Sequence, residues 1–178
     1  MRPYALTMIL SSAAMTAVGI GTAVYPPLQD RHGSLFGPSG AVLSAGHLGV
    51  LVAVAALALS GAAGRGWLAR VSFAVALCGF ALLTAAEALL RIAFDAGNSL
   101  FGVASPLCAL GMILVGIAVI RAGRWSSWRR FSPLVCGAYI PLVLIPSFAI
   151  AKGPSFIALA GWSLTFVALG FAMNTEDS

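Results

Sequence analysis

Charge is what this sequence has least of. Asp, Glu, Lys and Arg make up 8% of its 178 residues, as ten cations and five anions, where soluble domains carry about 25%. So few charges cannot coat a globule of this size, which excludes a soluble monomer. The chain also lacks a Cys-x-x-Cys pair. Cys78, Cys108 and Cys136 each stand inside an apolar stretch, so they read as small buried hydrophobes and not as a redox pair or thiolate metal site. Histidine is limited to His32 and His47. A haem between helices ordinarily needs two inward histidines on facing spans, and only His47 falls within one. Zinc-ligand spacings, phosphate loops and paired aspartates are missing too, so no metal and no cofactor are expected. The net charge of +5 comes from scattered cations, which form no surface able to track phosphates, so no nucleic acid partner is expected. Attraction to anionic lipid headgroups on one side is the more economical use of the excess.

What the sequence does have is apolar length. Hydrophobic residues are 60% of the chain, gathered into runs near the roughly 20 residues that a helix needs to cross the hydrocarbon core. Six such runs are expected as spans, at residues 4–24, 41–64, 71–94, 103–120, 132–151 and 154–173. They are continuously apolar, whereas the strands of a membrane barrel alternate. The expected fold is all-α: a polytopic transmembrane helical bundle forming a single integral membrane domain over 1–178, with the lipid bilayer as its main partner.

Orientation follows from the cations. Arg2, Arg65, Arg70, Arg121, Arg124, Arg129 and Arg130 fall on one side, and Arg31, Arg91 and Lys152 on the other. By the positive-inside rule the first group is cytoplasmic, as are both termini, which suits a multi-pass protein of the cell membrane. Trp67, Trp125 and Trp128 lie in the same basic loops, where amphipathic rings suit the headgroup layer. Arg2, the run after it and the small residues Gly21 and Ala23 also spell a secretory signal, although the run is long enough to be kept as a span.

The connections differ in kind. Residues 25–40 include Pro26, Pro27, Gly33, Gly37, Pro38 and Gly40, the composition of an irregular outer segment. Lys152 and Gly153 barely separate the last two spans, which predicts an antiparallel hairpin. Pro141 and Pro146 fall inside the fifth span and each removes a backbone donor there. Ala63-Gly64-Arg65 with Cys78-Gly79 is echoed by Ala122-Gly123-Arg124 with Cys136-Gly137. A Gly-Arg helix end is common enough in membrane proteins for chance to explain the echo.

Ionisable groups within spans cost about 2.5–3.5 kcal/mol at a helix centre, so each needs an account. They are His47, Glu87 and Arg91. Taking Trp67 as the middle of the turn between the second and third spans, His47 lies 20 residues before it and Glu87 20 after. That spacing predicts a common depth, about 7 Å outside the midplane. Glu87, Arg91 and Asp95 follow at i, i+4 steps, predicting a charge ladder on one helix face to which Thr84 adds a hydroxyl. In one reading, His47, Glu87, Arg91 and Thr84 line an outward-facing polar pocket capped by Asp30, Arg31 and His32. Histidine changes charge near neutral pH, so such a pocket can bind a small solute or pass a proton. In the other reading the charges only fix helix packing, in a non-catalytic scaffold or accessory subunit. Six spans are few for a transporter, so a homodimer or a membrane-protein partner is plausible under either.

Gly37-Pro38-Ser39-Gly40 resembles the Gly-x-Ser-Gly nucleophile motif of the rhomboid intramembrane proteases, over four residues only. That resemblance implies a serine nucleophile at Ser39 with a histidine from another helix. Here the only later histidine is His47, early in the same span, which leaves Ser39 as a helix-start residue. With no nucleophile and base in view, an enzyme is not the favoured reading.

Overall fold

A computed structural model of the chain describes residues 2–151 and 154–174. Every long element is helical, and no strand occurs among the described residues. The helices are α1 (Arg2–Val24), α2 (Phe36–Ser60), α3 (Trp67–Leu89), α4 (Phe94–Ala122), α5 (Ser132–Tyr139), α6 (Ile145–Ala151) and α7 (Phe156–Asn174). A π turn at Ile140–Leu144 joins α5 to α6 in a single span. Among the described residues six helices, counting that span once, are long and apolar enough to cross a membrane, the build of a multi-pass membrane protein.

Several ends differ from those expected, each for a local reason. Gly61, at φ 74°, takes the left-handed conformation and stops α2 before Gly64. At the other end α2 starts at Phe36, because Pro38 is tolerated in a first turn, where N–H groups have no helical acceptor. Helix α3 already begins at Trp67, so the turn before it is 61–66 and Trp67 is not its centre. The third span closes at Leu89, and Ala93 (φ −145°, ψ 77°) breaks the chain before α4. Asp95 therefore belongs to the first turn of α4 and does not continue a ladder along α3. In the two echoed segments Gly64 and Gly123 both adopt positive φ, but Gly123 caps α4 whereas Gly64 lies in the turn after α2 has ended at Gly61, so the two do not play the same part.

Neighbouring contacts run α1–α2, α2–α3, α3–α4, α4–α5, α5–α7 and α7–α1, which closes the helices into a ring. The contact expected between the last two spans is present as α5 on α7, while Lys152 and Gly153 lie outside the described residues. The most extensive interfaces are α3 with α4 and α1 with α7. Both depend on small residues that let backbones approach. A Cβ on Gly79 would stand 2.6 Å from the Cys108 nitrogen, and one on Gly111 would strike the Ala76 backbone. On the other side of the ring, a Cβ on Gly19 would meet Ala160 at 2.9 Å, and Thr16 Oγ1 donates across to the Ala160 carbonyl at 3.4 Å.

Inside the ring Phe80 of α3 meets Trp162 and Phe166 of α7. Phe166 sits edge-on to both rings, at 5.6 and 5.3 Å between centroids. The fifth span is the least buried of the six. Pro141 has no N–H to give the Gly137 carbonyl, which takes the Ile140 N–H instead. The Cys136 carbonyl is met by the Trp162 indole N–H at 3.0 Å. An irregular backbone is thus kept satisfied away from water by a neighbouring helix. Two sequence expectations need correction: Cys78 is exposed on the outside of the bundle, and Trp125 is buried under the Arg129 guanidinium, 5.4 Å from its ring.

Candidate functional site

The end of the bundle holding the 61–66 turn and the α4–α5 connection carries Arg65, Arg70, Arg121 and Arg124 and is called the basic end. The candidate site lies at the opposite end, where α3 finishes beside the start of α2. Glu87 occupies the last turn of α3 and is 3% exposed. Arg91 follows the helix in a turn, its N–H donating to the Ala88 carbonyl. A cation suits this position beyond a helix C-terminus, where carbonyl dipoles point at it.

The guanidinium of Arg91 is held from three sides. Nη2 donates to Glu87 Oε1 at 2.5 Å, Nη1 donates to the Phe36 carbonyl at 3.0 Å, and Cζ lies 3.9 Å from the centroid of the Phe36 ring. Below it runs the α2 backbone at Gly40, where any Cβ would overlap the guanidinium. The bare glycine is what allows an arginine to lie flat between the two helices. The result is a neutral clamp: one carboxylate, one guanidinium, and charge-assisted bonds that join α3 to the first turn of α2. Arg91 Nε is buried with no hydrogen-bond partner among the described residues.

His47 is not level with this pair. Glu87 is 20 residues into α3 from Trp67, and the residue 20 back from Ser60 along α2 is Gly40. The contact of Gly40 with Arg91 supports that register. His47 therefore lies about 10 Å nearer the basic end, seven residues further along its helix. The expected common depth fails because the turn is centred before Trp67. His47 is 8% exposed and its Nδ1 is buried without a partner among the described residues. Thr84 is half-buried, and its hydroxyl is spent on the Phe80 carbonyl at 2.8 Å, one turn back in its own helix.

Of the loop candidates, Asp30, Arg31 and His32 bind one another, while Asp95 lies in the first turn of α4. Asp30 Oδ1 accepts the His32 N–H at 3.0 Å in an Asx turn, and Arg31 Nε donates to His32 Nε2 at 3.1 Å. Arg31 also lies 5.6 Å from the centre of the Phe94 ring, and all three residues are exposed. The loop reaches the site through other residues. Ser39 Oγ donates to the Leu28 carbonyl at 2.8 Å and accepts from Gln29 Nε2 at 3.2 Å, pinning the short 3-10 helix Pro26–Gln29 onto α2. Ser39 is thus a buried tether for the connecting segment, within the first turn of α2.

Comparison of the chain with family models, curated proteins and solved structures finds no match. The geometry alone carries the functional argument. Phe36, Gly40 and Ser39 are the members of the site that sequence reasoning did not assign to it. A glycine beside a half-buried arginine is the signal that points to them, once the 61–66 turn sets the register. Chemically, the arrangement is built to hold: the carboxylate is paired with a guanidinium, and that guanidinium is also bound to the Phe36 carbonyl and ring.

Proposed function

We propose that this protein is a non-catalytic scaffold or accessory subunit of the cell membrane, with both termini and the basic end cytoplasmic, whose intramembrane charges serve packing. The observation that carries this reading is the Arg91 clamp. Glu87 meets the Arg91 guanidinium, and that guanidinium is further committed to the Phe36 carbonyl and ring. A carboxylate meant to bind and release a solute needs a changeable partner, whereas this one is held by an arginine fixed against a second helix. The orientation rests on the distribution of arginines and the positive-inside rule. A packing role also agrees with the small-residue interfaces, which make the bundle a rigid unit able to present a constant surface to a membrane-protein partner or a second copy.

A second reading, a small-solute or proton-linked binding protein, is supported by His47 Nδ1 and Arg91 Nε, two of the three buried side-chain atoms that have no partner among the described residues. Glu87→Gln and His47→Ala separate the two. Under the scaffold reading they change only thermal stability or the size of the assembly extracted in mild detergent. Loss of a measured solute or proton flux, with stability and assembly unchanged, would favour the second reading and sink the first.

A further inference from the structure

The basic end holds a cleft that the outer clamp does not explain. It has a volume of about 290 Å³ and lies between the first turn of α3 and the last turn of α4, walled by Gly64, Gly66, Trp67, Ala69, Ala118 and Arg121 among others. Most of its lining is glycine and alanine, with Trp67, Leu68 and Arg121 as the larger side chains. Arg121 lines the cleft directly. Arg65 and Arg70 flank the lining stretch 66–69 in sequence and are exposed. Arg124 reaches the Gly61 turn from the α4 side, with Nη1 3.0 Å from where a Gly61 Cβ would be. Arg121 thus supplies a guanidinium to the wall of the opening, with Arg65, Arg70 and Arg124 at the same end of the bundle, while the described carboxylates, Asp30, Glu87 and Asp95, all belong to the other end. The start of α3 adds to the positive potential. Gly66 stands at its N-cap and offers no side chain, so the first N–H groups of the helix are uncapped beside the cleft.

We propose that this cleft binds the phosphate of an anionic phospholipid from the adjacent leaflet. Guanidinium groups pair with phosphate oxygens in a bidentate fashion, and basic pockets between transmembrane helices are suited to acidic headgroups. The argument for a lipid over a soluble anion is position. Trp67, at the mouth, is 72% exposed, as befits a ring at the headgroup level, and Val71 one turn further along α3 is 47% exposed, continuing an apolar wall on which an acyl chain can lie. The site is at the end of the protein remote from Glu87 and does not depend on the scaffold reading.

The test uses the full chain in a neutral detergent, with native mass spectrometry of bound palmitoyl-oleoyl phosphatidylglycerol against the phosphatidylcholine of the same chains. Wild type should retain the phosphatidylglycerol preferentially, and Arg121→Gln should weaken that retention by about fivefold, the effect of one arginine near a headgroup. Arg130→Gln, which alters a basic residue outside the cleft lining, should leave it within about twofold of wild type. Ala122→Leu, which narrows the half-buried mouth without touching charge, should reproduce the Arg121→Gln loss and stands in for it if that variant does not fold. Equal losses in Arg121→Gln and Arg130→Gln would mean diffuse attraction and overturn the site. Displacement of the phosphatidylglycerol by millimolar inorganic phosphate would identify a soluble-anion site and overturn the lipid assignment.

Discussion

Replacing Arg91 by Ala takes away the half-buried positive partner of a buried acid and leaves Glu87 in place, 3% exposed in the last turn of α3. Breaking a buried ion pair in this way costs about 3–5 kcal/mol, because the remaining group keeps its desolvation and loses its partner. The stacking of Arg91 on Phe36 and its bond to the Phe36 carbonyl vanish in the same change, so they are part of that figure and are not to be added to it. For a chain of this length each 1 kcal/mol moves the unfolding midpoint by about 2–4 °C, giving a loss of roughly 6–20 °C for the single variant. The double variant Glu87→Leu with Arg91→Met removes both charges and keeps comparable volume, and should lie within about 1.5 kcal/mol of wild type. Thermal unfolding in a neutral detergent, followed by tryptophan fluorescence, measures all three proteins. The reasoning fails if Arg91→Ala unfolds within about 2 °C of wild type, or if the double variant is as unstable as the single one.

Other consequences concern the packing that holds the ring together. Gly111→Leu sets a large side chain against the Ala76 backbone and should prevent α3 and α4 from closing, seen as loss of monodisperse protein on size exclusion. Trp162→Phe keeps most of the ring packing but deprives the Cys136 carbonyl of its 3.0 Å donor, and should cost about 1–3 kcal/mol by the same melting assay. His47→Leu replaces a side chain whose Nδ1 has no partner, so stability should be unchanged or raised by about 1 kcal/mol. A clear destabilisation would reveal a hydrogen bond that the packing of α2 does not account for.

The bundle was largely legible in the sequence because apolar length is a strong signal and so few charges interrupt it. The six spans therefore appear where the runs are, with shifts at ends governed by a glycine such as Gly61 or by a break such as Ala93. Glu87 and Arg91 were legible as a pair because their spacing on a helix is one turn. Their surroundings were not. The sequence contains the distance of each residue from a turn, but three residues of error in the turn's centre moved His47 about 10 Å out of register. Asp95 was lost from the ladder for a similar reason: periodicity cannot see a chain reversal that no proline or glycine marks. Phe36 acts through its carbonyl and its ring face, and neither role leaves a pattern in composition. The order of the ring, with α1 closing against α7, depends on contacts far apart in the chain.

The central claim is that the buried acid serves packing and not passage. Purified protein in dye-loaded liposomes with an imposed pH gradient tests it most directly, comparing wild type, Glu87→Gln and empty vesicles. The account predicts that the gradient decays at the same rate in all three. Faster decay with wild type that Glu87→Gln abolishes would contradict it.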